Sequence, residues 1–123
     1  IDHGGRSAVL SGDTTFNENL IHFSQGTDLL IHEVTGTPKD ILQETAQFQR
    51  ITENHTTPEQ AGEVFTRVRP KLAVYTHILL FGDTTPDDLI PRTRENYSGA
   101  LAVGEDLMAI EVGEKVEARR FGR

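Results

Sequence analysis

The chain has 123 residues, 36% of them hydrophobic and 25% charged, a balance that fits one soluble globular unit with a buried core. A formal net charge of -7 disfavours a broad phosphate-binding surface, so nucleic acid is not the expected partner, although a local basic groove is not excluded. Zero cysteines exclude disulfides and thiolate metal sites, which leaves five His and the carboxylates as donors, and no apolar run is long enough to cross a bilayer.

Residues 1–6 read as strand, tight turn and strand with no initiator Met, so the chain is expected to start inside a sheet as part of a longer polypeptide. No secretory signal is visible, and the compartment, cytoplasm or periplasm, stays open. Residues 7–12 (SAVLSG) predict a short buried strand with Asp13 where a parallel strand gives way to a helix. Thr15 and Glu18 then form a capping box, and Phe16, Leu20 and Phe23 give a helical stripe to about Gln25, closed by Gly26.

Residues 28–34 (DLLIHEV) predict a second strand carrying His32 and Glu33 at its end. A helix is expected over 39–53, with Ile41, Leu42 and Phe48 as its apolar positions. Thr57 is an N-cap with Pro58 at the first helical position, Gln60 completing the box, and Ala61, Val64, Phe65 and Val68 as the buried stripe. Residues 71–81 (KLAVYTHILLF) predict the third strand, with His77 near its end, and Thr85, Pro86 and Asp88 start another helix. Residues 101–112 and 116–121 form a closing hairpin turned at Gly113-Glu114. Gly12-Asp13-Thr14-Thr15 recurs as Gly82-Asp83-Thr84-Thr85, but the flanks differ; these are two similar helix starts rather than a duplication, and Asp83 is structural.

The order predicts a layered α/β unit whose first three strands pair parallel through right-handed crossovers, with one sheet face in need of cover. Asp13, Glu33, His55 and His77 then fall on one edge of that sheet. Asp13 alone reads equally as a helix cap, and a lone His77 in an apolar strand more often is a hydrogen-bonded core residue. Together an Asp oxygen and a His nitrogen suit a divalent metal, though two donors are fewer than a catalytic site needs. His55 precedes a helix N-terminus, which opposes its positive charge, whereas Glu33 would favour that charge and set the tautomer. Such a balance suits a proton donor; the bland alternative is a loop His beside a solvated strand end. His32 points to the opposite strand face from Glu33, and His3 and His22 read as structural.

Gly5-Arg6 to Thr14 (GRSAVLSGDT), LIHEVT at 30–35, His55-Thr56-Thr57 and Tyr75-Thr76-His77 together resemble the C-terminal half of metallo-β-lactamase-fold hydrolases, in the ribonuclease Z and arylsulfatase-like branch, over nearly the whole chain. The resemblance implies an α/β unit that is half of an αββα sandwich, a mixed sheet with covering helices. Residues 1–123 would then be the C-terminal half, whose partner is the N-terminal half carrying the His-x-His-x-Asp-His motif, absent from these residues.

By the same resemblance Asp13 bridges two divalent metal ions, zinc with manganese or iron as alternatives, and His77 binds one of them, in a site left incomplete by this chain. Glu33 and His55 are a proton-donating pair. The implied activity is hydrolysis of an ester (a phosphodiester, sulfate ester or related small-molecule ester) by a metal-bound hydroxide, with the fragment inactive alone. A departure, Ile78-Leu79-Leu80-Phe81 in place of a polar segment with Arg and Tyr, argues against transfer-RNA processing. The competing reading is a non-catalytic α/β binding or subunit module that pairs with another chain; a homodimer also stays open. An aspartyl-nucleophile phosphatase is set aside because Thr15 stands where its second Asp would be.

Overall fold

The computed structural model describes residues 1–38, 46, 50 and 53–120; the stripe expected from Ile41, Leu42 and Phe48 lies outside the described residues, as does Phe121. Strands β1 (Asp2–His3) and β2 (Arg6–Leu10) form an antiparallel hairpin at one edge of the sheet, Asp2 facing Ser7 and His3 facing Arg6. His3 thus ends the first strand, before the tight turn at Gly4-Gly5. Strands β3 (Leu29–Gly36), β4 (Leu72–Leu80) and β5 (Leu101–Val103) follow in parallel, giving one five-stranded mixed sheet in the order β1-β2-β3-β4-β5.

Parallel neighbours need crossovers, and among the described residues helices α1 (Glu18–Phe23), α2 (Pro58–Val68) and α3 (Pro86–Arg94) lie in them. All three contribute to one core with the sheet. Ile21 of α1, Ala61, Val64, Phe65 and Val68 of α2 and Leu89 of α3 pack with Leu30, Val34, Ala73 and Tyr75 of the strands. The α2 stripe is as the spacing predicts, and its start is a true capping box: the Thr57 hydroxyl accepts from the Gln60 amide at 3.2 Å and the Gln60 side chain from the Thr57 amide at 3.0 Å. At α3 the Asp88 carboxylate accepts from both the Thr85 backbone N–H and its hydroxyl.

Helix α1 departs from expectation. Its cap is Asn17, whose side-chain oxygen accepts from the Asn19 and Leu20 amides, so the helix starts two residues later than a Thr15 cap would set it and runs only six residues. Ile21 then faces the core and Phe23 is 80% exposed. The first long strand is also less buried than its apolar run suggests, Leu10 being 56% exposed.

The opposite sheet face is covered in part by a separate hairpin, β6 (Ala109–Val112) with β7 (Val116–Arg119). Ile110, Val112, Val116 and Ala118 alternate onto Leu29, Leu72 and Val74. The run expected as one strand over 101–112 is therefore two. It breaks at Gly104, whose N–H donates to the Tyr75 carbonyl at 2.9 Å and where a Cβ would meet that same oxygen at 2.2 Å. No helix among the described residues is long and apolar enough to cross a membrane.

Candidate functional site

The register of β3 and β4 decides where the site chemistry sits. Leu29 to Glu33 pair in step with Leu72 to Thr76, but Val34 pairs with Ile78, so His77 is an extra residue in β4. Without that bulge His77 would lie opposite Val34 and face the helix-covered core. With it, Ile78 takes the core position, and His77, at a left-handed φ of +45°, swings out to the strand edge, half exposed. The apolar strand thus does not make His77 a core residue.

Its partner there is Asp13, His77 Nδ1 lying 3.2 Å from Asp13 Oδ1. Asp13 reaches this place because the chain leaves β2 through Gly12, at φ +61°, with the Ser11 hydroxyl donating to the Gly12 carbonyl at 2.7 Å and accepting from the Glu33 amide at 3.0 Å. Exposure makes the pair worth little as a salt bridge.

Glu33 is the inverse case. It lies within β3, which runs on to Gly36 rather than ending at the His32-Glu33 pair, and its side chain is fully buried. Oε1 accepts from the Thr14 amide at 2.9 Å and lies 3.1 Å from His55 Nδ1. Because an ionised carboxylate can only accept, the His55 Nδ1 carries the proton in this contact, and Nε2 is the ring nitrogen turned away from Glu33. Burial pushes the Glu33 carboxyl above its usual range, against the Thr14 amide and His55, which favour its charge.

The two pairs meet. The His55 and His77 rings stack with centroids 6.3 Å apart and planes 21° from parallel, giving the order Asp13, His77, His55, Glu33 across one edge of the sheet. A cleft of about 490 Å³ opens beside His77, lined by Ile31, Val74, Met108 and Ile110 together with the acidic side chains of Glu105 and Asp106.

His32 stands apart on the core face, edge-on to Phe65. Its Nδ1–H donates to the Glu33 carbonyl at 2.8 Å, Nε2 is buried without a partner, and burial pulls its basicity down. His3 and His22 are exposed. Three residues that composition and spacing do not single out complete the network: Ser11, Thr14 through its backbone, and Thr56, whose hydroxyl donates to the Thr14 carbonyl at 2.6 Å. Only the place of Thr56, between a candidate proton donor and an N-cap, hints at a role in the sequence.

The donor chemistry of Asp13 and His77 fits one edge of a metal shell. Two donors about 2.0–2.1 Å from a tetrahedral ion lie roughly 3.3 Å apart, close to the 3.2 Å between Asp13 Oδ1 and His77 Nδ1. Among the described residues no group of three or more His, Cys, Asp or Glu could hold an ion, so these two do not complete a shell.

Known proteins agree with this architecture. Ribonuclease Z of Myxococcus xanthus (strain DK1622) is 31% identical over 108 residues, 88% of this chain and 33% of that protein. Ribonuclease Z of Haloarcula marismortui is 28% identical over 104 residues, 85% of this chain and 32% of its own. The chain thus spans about a third of the length of these relatives. The crystal structure of the metallo-beta-lactamase fold protein YhfI from Bacillus subtilis superposes with a TM-score of 0.65 at 22% identity, covering 83% of this chain and 38% of that one. A family model described as the beta-lactamase superfamily domain matches residues 1–78, and with the shared fold this shows that the chain belongs to that superfamily and, within it, is similar to ribonuclease Z.

Proposed function

We propose that these residues are the C-terminal half of a metal-dependent hydrolase that cleaves a phosphodiester, with the remaining metal donors supplied by a preceding half of the same domain. The observation that carries it is the meeting of two unlike pairs at one edge: exposed Asp13 with His77, and buried Glu33 with His55. A phosphodiester is preferred to a sulfate ester because the relatives at 28–31% identity are named for cleaving RNA. The acidic balance of this chain and the apolar 78–81 segment favour a smaller ester over a long polyanion.

Asp13 and His77 would each hold a divalent ion, zinc, manganese or iron. When bound, such ions supply a water that ionises near neutral pH and positive charge where an oxyanion develops. His55 presents Nε2 to the leaving oxygen and delivers its proton. Glu33, held by the Thr14 amide, keeps the His55 ring in the one tautomer and orientation that leaves Nε2 free, and it stabilises the imidazolium that precedes the transfer.

The test is a leaving-group series on the complete polypeptide. His55→Ala should slow esters of poorly acidic alcohols by about 100-fold or more, while activated aryl esters change little and bound metal stays constant. Equal slowing of both classes would remove the proton-donor role. Absence of bound zinc, manganese and iron from metal-replete complete protein would remove the hydrolase reading.

A further inference from the structure

Thr56 is fully buried, follows His55 in the chain and gives a backbone hydrogen bond to the Glu33 carboxylate. Its hydroxyl donates to the Thr14 carbonyl at 2.6 Å, while its own carbonyl accepts from the Thr35 amide of β3 at 2.8 Å. Thr14 in turn gives its amide to Glu33 Oε1, and Glu33 Oε1 accepts from His55 Nδ1. The contacts close a ring: His55 to Thr56 through the chain, Thr56 to Thr14, Thr14 to Glu33, and Glu33 back to His55. Asp13 is bonded covalently to Thr14, so the ring ties the loop bearing Asp13 to the loop bearing His55, segments 42 residues apart.

Building on the hydrolase reading above, we infer that Thr56 is a positioning residue whose hydroxyl clamps the Asp13 loop onto the His55 loop, fixing the proton donor against the metal edge. A hydroxyl suits the task because the Thr14 carbonyl, buried in part beneath the loop, needs a donor, and at Thr56 a hydroxyl is the smallest group that supplies one without adding charge beside Glu33. The methyl of Thr56 fills the same site, which separates the bonding role from packing: valine keeps the shape and removes the donor, and serine keeps the donor.

In the complete polypeptide, Thr56→Val should slow esters of poorly acidic alcohols by about tenfold, the effect of one buried hydrogen bond on a transition state. Activated aryl esters and bound metal should stay at the wild-type level, and Thr56→Ser should behave as the wild type. A second readout is independent of turnover: in the metal-free protein, the His55 Nδ1 proton should give a protected low-field NMR resonance that survives Thr56→Ser and broadens away in Thr56→Val. If Thr56→Val does not fold, the wild-type Thr56 hydroxyl proton decides, slow exchange with water supporting the clamp and fast exchange overturning it. Equal slowing of both ester classes by Thr56→Val, or an unchanged His55 resonance, overturns the inference. Selective slowing by His55→Ala with none by Thr56→Val removes the clamp alone, whereas His55→Ala acting equally on both classes removes the underlying donor assignment and leaves the NMR test of the clamp standing.

Discussion

His77 sits in a backbone region that costs a side chain with a Cβ about 1–2 kcal/mol, and it is the bulged residue that lets Ile78 take the core position. Arg69 and Leu107 share that region at a helix end and in a loop, whereas at His77 it falls inside a strand, where the side chain leaves the core face and meets Asp13. Glu33 raises a related question of charge. Its folded carboxyl binds a proton more tightly than it does in the unfolded chain, so its contribution to stability is complete below the unfolded value near 4.5 and is lost as pH rises through the raised folded value. Glu33→Gln keeps an oxygen for the Thr14 amide and carries no titrating proton. Urea unfolding at pH 4 and pH 8 should therefore show the variant gaining on the wild type at the higher pH, and a constant gap would mean that burial does not shift Glu33.

Among the elements, α2 and α1 show what local signals can and cannot set. Thr57, Pro58 and Gln60 define the α2 start through bonds within four residues, so local chemistry suffices. At α1 the cap is Asn17 rather than Thr15, and while Phe16 and Leu20 still pack against the core, Ile21 is buried and Phe23 is left exposed. The contact between α2 and α3 is close enough to test. A Cβ at Gly62 would meet the Thr93 carbonyl oxygen at 2.6 Å, and that oxygen is pinned because it accepts from the Asn96 and Tyr97 amides. Alanine gains about 1 kcal/mol of helix propensity over glycine, but overpacking against fixed backbone costs about 1–3 kcal/mol. Gly62→Ala should thus lower stability by about 1 kcal/mol in a denaturant titration; a rise would show that α3 can yield.

Among the described residues the sheet has two unlike faces, one covered by α1, α2 and α3 and the other in part by the β6–β7 hairpin. That hairpin contributes four small or medium side chains to its cover, and a charge placed among them should detach it. Ile110→Asp is expected to cost about 2 kcal/mol or more and to release the amides of β6 and β7 to hydrogen exchange, with β3 and β4 still protected. Uniform loss of protection would instead make the hairpin part of a single cooperative unit.

The α/β class, the parallel pairing of the strands at 7–12, 28–34 and 71–81, the α2 stripe and the lie of four polar residues along one edge were legible in the chain, because alternation, caps and apolar spacing are local and repeat often enough to read. The membership of β5 in the main sheet was not legible, since it depends on the close approach of Gly104 to Tyr75. Nor was the bulge that turns His77 out of the core, a one-residue register slip set by pairing with a strand more than 40 residues away. Sequence by itself therefore determined which polar groups lie together along one edge of the sheet. Only the tertiary structure decided that Asp13 meets His77, that Glu33 meets His55 and that Thr56 joins the two loops, because hydrogen-bond partners distant in the chain are selected by packing and leave no period in the residues themselves.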